Sequence, residues 1–388
     1  MNEFQRYSIW EFVEDYKSGQ LSRRDLMRRV MYITGGVASA ASVLALMGCG
    51  TASAPASSAA APTSAASKLS AAASGGASAG GSAASAGGSG AASAASGSTA
   101  GSAAASAAAS PASSAAAKPA GSASAKSSAA PQPTPSGPKS PLSVPANDPA
   151  IDGKDITFQG NGATLMAYEV RPKNATGPLA LVMVCEENMG LTEHIRDVTR
   201  RFAKAGYMAA ALDLLSREGG TAKVEPARIP SLLGSGNALA TNQAAQDFKA
   251  LADYYMSQPD KPVAIGMNGY CFGGTITYRA IEVTPSVKAA VAFYGSVPPL
   301  DLVKDIKAAV LGVYSSDPQD AANKNRDELE AAMKAANVTF QYKVYPGTTH
   351  AFNNDTRPTS PPGNFYNQEQ ALAAWKDMLD WFGKYLKA

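Results

Sequence analysis

The 388 residues contain two histidines, His194 and His350, and three cysteines, Cys49, Cys185 and Cys271. Any imidazole-assisted chemistry must use one of those two rings, and three thiols at these spacings give no disulfide framework. Cys271 stands in Gly269-Tyr270-Cys271-Phe272-Gly273-Gly274. This is G-x-C-x-G, a nucleophile elbow with sulfur in place of a hydroxyl oxygen. Glycines two before and two after the cysteine allow a sharp strand-to-helix turn, which presents the sulfur at a helix N-terminus, where partial positive charge favours thiolate. Asp317, in Ser315-Ser316-Asp317-Pro318, follows one apolar run, and His350, in Gly347-Thr348-Thr349-His350-Ala351-Phe352, follows another. In the order nucleophile, acid, histidine, His350 takes the thiol proton and later activates water, while Asp317 fixes the tautomer and stabilises imidazolium. Asp320 is a rival for the acid. Each residue also has a plainer reading: a buried structural cysteine, a helix-capping aspartate, and, for His194 inside a helical pattern, a surface or packing role.

The elements that must position these groups alternate in type. Asn161-Gly162 joins two strand patterns, Ile156–Phe158 and Thr164–Val170, as a hairpin. The apolar run Leu179–Cys185 ends in Glu186-Glu187-Asn188-Met189-Gly190, a helix pattern covers Thr192–Ala205, and a strand Tyr207–Leu212 ends at Asp213. After a Gly- and Pro-containing loop, Ser216–Gly236, come a helix near Ala240–Met256, a buried strand Pro262–Met267 and a helix Gly273–Glu282. Strands at Val287–Tyr294, Ala309–Tyr314 and Val338–Tyr345, a helix near Ala321–Ala335 and an amphipathic helix Gln368–Leu386 complete the pattern. Such alternation implies an α/β fold, a mostly parallel sheet with helices on both faces, and ligands bound at the carboxyl ends of the strands.

With Cys271, Asp317 and His350 in these contexts, and Glu187-Asn188-Met189-Gly190-Leu191 beside them, the region from about Asp155 to Leu386 resembles the dienelactone hydrolase family of α/β-hydrolases. The resemblance implies that Glu187 contacts the resting thiol and helps generate thiolate when substrate binds. Glu186 stands where many members have His or Gln. It also implies an oxyanion hole from the backbone N–H groups of Phe272 and Asn188, worth several kcal/mol in the transition state. The implied reaction is cleavage of an ester or lactone through an acyl-thioenzyme, with no metal and no organic cofactor. The family's substrate-binding arginine has no counterpart that Arg217 or Arg228 clearly supplies. Cys185, two residues before Glu187, points to the same face of its strand, so a silencing disulfide with Cys271 is conceivable in an oxidising compartment.

Composition sets the domain plan. Residues 50–147 are almost wholly Ala, Ser, Gly, Pro and Thr, with Lys68, Lys118, Lys126 and Lys139 and no acidic residue. Such a tract lacks the apolar side chains to offset its ordering entropy and reads as a disordered linker, with a span of roughly 50–60 Å. It separates an N-terminal piece, 1–49, from one sizeable domain, 148–388. The net charge of +3 is then a basic leader and linker joined to a slightly acidic domain. That domain offers no basic footprint for nucleic acid.

The leader carries Ser22-Arg23-Arg24-Asp25-Leu26-Met27 and an uncharged stretch from Val30 to Gly48. It resembles a twin-arginine export signal, and Leu46-Met47-Gly48-Cys49 resembles a lipobox in which Cys49 is acylated. A retained membrane-spanning anchor and a cleaved soluble signal are the alternatives. The stretch ahead of Ser22, with Ile9, Trp10, Phe12, Val13 and Tyr16 at helical spacing, has no assignable role. The expectation is a monomeric, exported hydrolase, handled by the twin-arginine machinery, held to the membrane through Cys49 or the apolar segment, and facing the periplasm or cell exterior. The rival is a surface-tethered binding or scaffold protein on a silent hydrolase fold. A thiol-redox role is weakened by the absence of a Cys-x-x-Cys pair.

Overall fold

A computed structural model of the chain describes residues 3–17, 21–34, 36–46, 140–233, 238–360 and 363–386, all belonging to one compact unit. Most of the linker and the whole of the lipobox cysteine's surroundings, Cys49 included, lie outside the described residues.

Asn161 and Gly162 both take positive φ, 46° and 71°, the backbone an Asn-Gly hairpin turn demands. They join β1 (Ile151–Gly160) to β2 (Ala163–Pro172) in antiparallel register, Ile156 opposite Ala167. The strands β3 (Leu181–Cys185), β4 (Met208–Asp213), β5 (Ile265–Tyr270), β6 (Val287–Phe293), β7 (Ala309–Ser315) and β8 (Phe340–Tyr345) are parallel to one another, and β2 pairs antiparallel with β4. The order across the eight-stranded sheet is β1-β2-β4-β3-β5-β6-β7-β8. Every residue of β3, β4 and β5 is buried, as expected of central parallel strands covered on both faces.

Three helices open the chain, α1 (Glu3–Lys17), α2 (Arg23–Thr34) and α3 (Val37–Leu46). The others are α4 (Glu193–Lys204), the short α5 (Ile229–Leu232), α6 (Ala238–Met256), α7 (Phe272–Val283), α8 (Arg326–Ala335) and α9 (Gln368–Tyr385). Phe202 of α4 meets Trp375 and Phe382 of α9, with ring centroids 4.9 and 6.0 Å apart, over the sheet. Helices α6 and α7 pack together, and α7 lies against β5 and β6. The loop 216–233, read as irregular from its Gly and Pro content, winds into three short 3₁₀ turns and α5.

Two segments depart from the compositional division of the chain. Residues 140–147 are fastened to the domain. The Val144 N–H donates to Asp197 Oδ1 at 2.6 Å, the Val144 carbonyl accepts from Arg200 Nε, and the Ser140 N–H donates to Asp355 Oδ2. The uncharged stretch after Val30 is divided between the end of α2 and α3. Both pack with α1 around Ile9, Phe12, Leu26, Val30 and Leu44. Among the described residues no helix is long and apolar enough to cross a membrane.

Candidate active site

β5 delivers Cys271 into the turn before α7. Its backbone has φ 57° and ψ −118°, a strained conformation for a residue with a side chain, held in place by its N–H donating to Phe293 O at 3.0 Å. The turn is possible because two glycines flank it. A Cβ on Gly269 would stand 2.1 Å from the Gly273 carbonyl oxygen, and one on Gly273 would stand 2.5 Å from that of Glu186. Cys271 is fully buried, and Phe272 opens α7, whose first-turn N–H groups carry the positive end of the helix. Cys271 and Cys185 are both free thiols, so the disulfide is not formed, although Cys185 pairs with Gly269 across β3 and β5. Burial and the charge of Glu186 push the Cys185 thiol well above its ordinary range, which makes it an inert core sulfur.

A ring nitrogen of His350 lies within 4.8 Å of Cys271 Sγ. His350 Nδ1 is 3.0 Å from a carboxylate oxygen, and that carboxylate belongs to Asp320. The expectation of Asp317 is therefore corrected. Asp317 leaves β7 first, but its Oδ1 turns back to accept from the Gln319 N–H at 2.8 Å, closing a turn through Pro318. The reversal returns Asp320 to the sheet end, where it is buried and also accepts from Ser315 Oγ at 2.6 Å and the Ala322 N–H at 3.0 Å. Burial works against the Asp320 carboxylate, but the His350 charge and these three hydrogen bonds hold it below its ordinary value. Burial likewise disfavours the His350 imidazolium. The Asp320 carboxylate, with Glu11 and Glu187 adding to it, outweighs that and raises its pKa.

Glu187 and Asn188 follow β3 into the same space. Glu187 is buried, and its Oε2 accepts from Asn354 Nδ2 at 2.7 Å. Burial raises its pKa, opposed by His194 and reinforced by Glu11. The carboxylate on the sulfur is a different one. Cys271 Sγ donates to Glu11, with Oε1 at 3.2 Å and Oε2 at 3.3 Å, and Asn188 Nδ2 donates to Glu11 Oε2 at 2.6 Å. Glu186 is fully buried too, and desolvation together with the Asp213 charge pushes its carboxyl well up.

A model of the dienelactone hydrolase family matches residues 165–386, more than half of the chain and the whole of this site from β3 to His350. The chain belongs to the dienelactone hydrolase family. It is 33% identical over 261 residues to a protein of Salmonella typhi provisionally named a carboxymethylenebutenolidase, covering 64% of this chain and 94% of that one. A similarly named protein of Escherichia coli K12 is 34% identical over 260 residues, covering 63% and 93%. A crystal structure from Klebsiella pneumoniae, described provisionally as a dienelactone hydrolase, superposes with a TM-score of 0.54 at 33% identity, covering 61% of this chain and all of that one. Membership makes the chain a hydrolase of carboxylic ester or lactone bonds.

Several residues at this dienelactone hydrolase site escaped the sequence reading. Tyr294, at φ 37°, sets its ring 4.9 Å from that of His350. Arg357, on the loop after His350, lies 3.6 Å from Glu11 Oε1 and pairs closely with Asp15. Arg217, by contrast, is spent on Asp247 and the Asn161 carbonyl. His194 is buried beside Tyr270 and pairs through Nδ1 with Asp355 Oδ1 at 3.0 Å, so it is a core residue and not a surface one. Glu11 and Trp10 belong to the segment that seemed to have no role; proximity across more than two hundred residues leaves no mark in spacing. Among the described residues Glu11, Cys271 and His350 also form a group whose ligand atoms lie within 4.8 Å of one another. A borderline ion held there would engage the sulfur and ring that the hydrolytic reading uses.

Proposed function

We propose that this family member cleaves an ester or lactone through a Cys271 thioester, with His350 as the proton carrier and Asp320 as its orienting acid. The observation that carries this is the sulfur on a strained strand-to-helix turn within reach of an imidazole whose Nδ1 is committed to Asp320, leaving Nε2 for the sulfur. Nε2 takes the Sγ proton as sulfur attacks the carbonyl carbon. The C–S bond forms, the C–O bond breaks, and the leaving alkoxide takes the proton back from His350. Water then gives a proton to Nε2 and attacks the thioester, the C–S bond breaks, and the acid product departs as the thiol is restored. The Phe272 and Asn188 N–H groups serve the carbonyl oxygen as charge develops on it. Glu187 positions the loop after β3 and favours thiolate formation when substrate enters.

The test is turnover of p-nitrophenyl acetate, simple lactones and dienelactones, under reducing conditions, by the otherwise wild-type and Cys271→Ala chains, each cut at a specific protease site inserted in the linker. The expected loss in the variant is at least a thousandfold. Equal rates in two folded proteins would remove Cys271 from the mechanism, and no turnover by either would favour the tethered binding protein.

Export and lipid attachment belong to the same proposal. Arg23 and Arg24 are exposed at the start of α2, readable by a twin-arginine receptor, and Leu46-Met47-Gly48-Cys49 follows the apolar stretch. The enzyme is then displayed outside the cytoplasmic membrane on its linker. Labelled palmitate supplied to producing cells should appear on the wild type and be absent from Cys49→Ser; equal labelling would end the lipoprotein reading.

A further inference from the structure

Glu11 is 1% exposed, and its carboxylate is enclosed by the reacting groups themselves. Both oxygens are at hydrogen-bond distance from Cys271 Sγ, one also takes the Asn188 amide at 2.6 Å, and the other faces Arg357 at 3.6 Å. The neighbouring residue completes the cover: the Trp10 indole stands edge-on to the His350 ring, 6.0 Å between centroids at 89°. Two consecutive residues of α1 thus sit on the nucleophile and on the base. An acyl carbon must come within about 3–3.5 Å of the sulfur to react. The Glu11 oxygens already hold that distance, so substrate and α1 exclude each other.

The occupant has the chemistry of a product. Ester and lactone hydrolysis ends in a carboxylate beside the restored thiol, and Glu11 presents a carboxylate there that carries no leaving group and so cannot acylate the sulfur. The seat is also built from outside the site. Asp15, one helical turn on, pairs with Arg357. Arg29 of α2 stacks over Phe12, 5.2 Å from its centroid, and reaches Met189 Sδ at 3.2 Å, tying α1 and α2 to the loop after β3. Arg28 reaches Glu225 at 3.4 Å, on the loop between β4 and α5. A separate small core, with Ile9, Phe12 and Val13 against Leu26, Val30 and Leu44, keeps the three leader helices together as a unit.

We infer that the leader, through α1, is an intramolecular inhibitor: Trp10 and Glu11 occupy the substrate site as a product-like plug, and the hydrolase opens only when the segment ahead of Cys49 is removed or displaced. The inference rests on Cys271 being the nucleophile. It joins two features that the sequence leaves separate, since the cleavage that a lipobox would direct at Cys49 takes away the whole of α1, α2 and α3. The uncleaved chain is then a closed form.

The experiment uses the full chain. Wild type, the double variant Trp10→Ala/Glu11→Ala, a wild-type chain with a specific protease site inserted in the linker, and that cut chain carrying Cys271→Ala are compared. Two rates are read: hydrolysis of p-nitrophenyl acetate, and alkylation of Cys271 by iodoacetamide located by mass spectrometry. The double variant leaves Ile9, Phe12 and Val13 in place, and thermal melting checks that each protein is folded. Both rates should rise at least tenfold in the double variant and in the cut chain. A synthetic peptide of residues 3–17 should restore inhibition competitively, and the same peptide with Glu11→Ala should not. Unchanged alkylation in both opened proteins would overturn the inference. Alkylation that rises tenfold while hydrolysis persists in Cys271→Ala would support the plug and overturn the nucleophile assignment instead, so the two failures are told apart.

Discussion

At the scale of single residues, the acid beside His350 shows how far spacing reaches. Strand β7 and the loop after it are legible as an apolar run ending in Ser-Ser-Asp-Pro, and a carboxylate just past a strand is the natural partner for a histidine past the next. What spacing does not contain is the direction of the chain after Pro318. The turn closed by Asp317 and Gln319 sends Asp317 to a local backbone N–H and brings Asp320 home. The two aspartates therefore make opposite predictions. Asp320→Asn should lower kcat/KM by roughly a hundred- to ten-thousandfold, through a misoriented ring and an unsupported imidazolium. Asp317→Asn should stay within about threefold of wild type. The pH profile separates an electrostatic role from a merely structural one. In the proposed mechanism His350 acts as base only when unprotonated, and its pKa is raised above the ordinary 6.5, so activity should fall as pH drops through that raised value. Without the Asp320 charge, burial acts with less opposition and the pKa falls. The acid limb of the residual activity in Asp320→Asn should therefore move to lower pH, measured as kcat/KM between pH 5 and 9 with leader-opened protein. A limb that stays in place would remove Asp320 as the source of the shift.

Elements were more legible than the contacts between them. Apolar runs located β3 to β7 because buried parallel strands need apolar side chains on both faces, whereas β8 is an edge strand of alternating residues with one buried position, and Asn-Gly located the hairpin because few other pairs accept two positive φ values. Boundaries moved by a few residues at the starts of α8 and β8, where the first turn or first pair depends on caps and neighbours and not on periodicity. Helix α1 was legible as a helix, from Ile9, Phe12, Val13 and Tyr16, yet its purpose was not. An amphipathic pattern says that a face is covered without saying what covers it. Here the apolar face is taken by α2 and α3, while Trp10 and Glu11 project to the hydrolase domain. Glu11 in particular is a charged residue in a short leader, for which sequence reasoning expects water. Its burial is understandable only once Asn188, Arg357 and the Cys271 thiol supply the hydrogen bonds and charge that water would have supplied. The glycines of the elbow belong to the opposite case, since Gly269 and Gly273 announce a close approach that the structure contains at 2.1 and 2.5 Å.

At the scale of the whole molecule, one carboxylate ties the end of the linker, helix α4 and the His350 loop together. Asp355 Oδ2 accepts from the Ser140 N–H at 2.6 Å, from Ser143 Oγ at 3.0 Å and from Arg201 Nη2 at 3.0 Å, while Oδ1 faces His194 Nδ1. Arg201 is shared with Asp197, whose other oxygen holds the Val144 N–H. The consequence is that residues 140–144 are a strap on the hydrolase domain. Burial opposes the Asp355 charge, but His194, Arg201 and the Ser140 N–H more than offset it and hold its carboxyl well below the ordinary range. Asp355→Asn keeps the shape and removes the charge, leaving Arg201 and His194 with one buried carboxylate fewer. The expected loss is about 3 kcal/mol, roughly 6–12 °C in Tm for a domain of this size. The sign with pH follows from the depressed pKa. The stabilisation is fully present above the unfolded carboxyl's pKa of about 4 and is lost as pH falls below it toward the folded value. Melting curves of the two proteins should therefore lie furthest apart at neutral pH and begin to converge once pH falls below about 4. A Tm difference independent of pH would mean that the Asp355→Asn protein is weakened for reasons of packing, and that the charge network does not hold the strap.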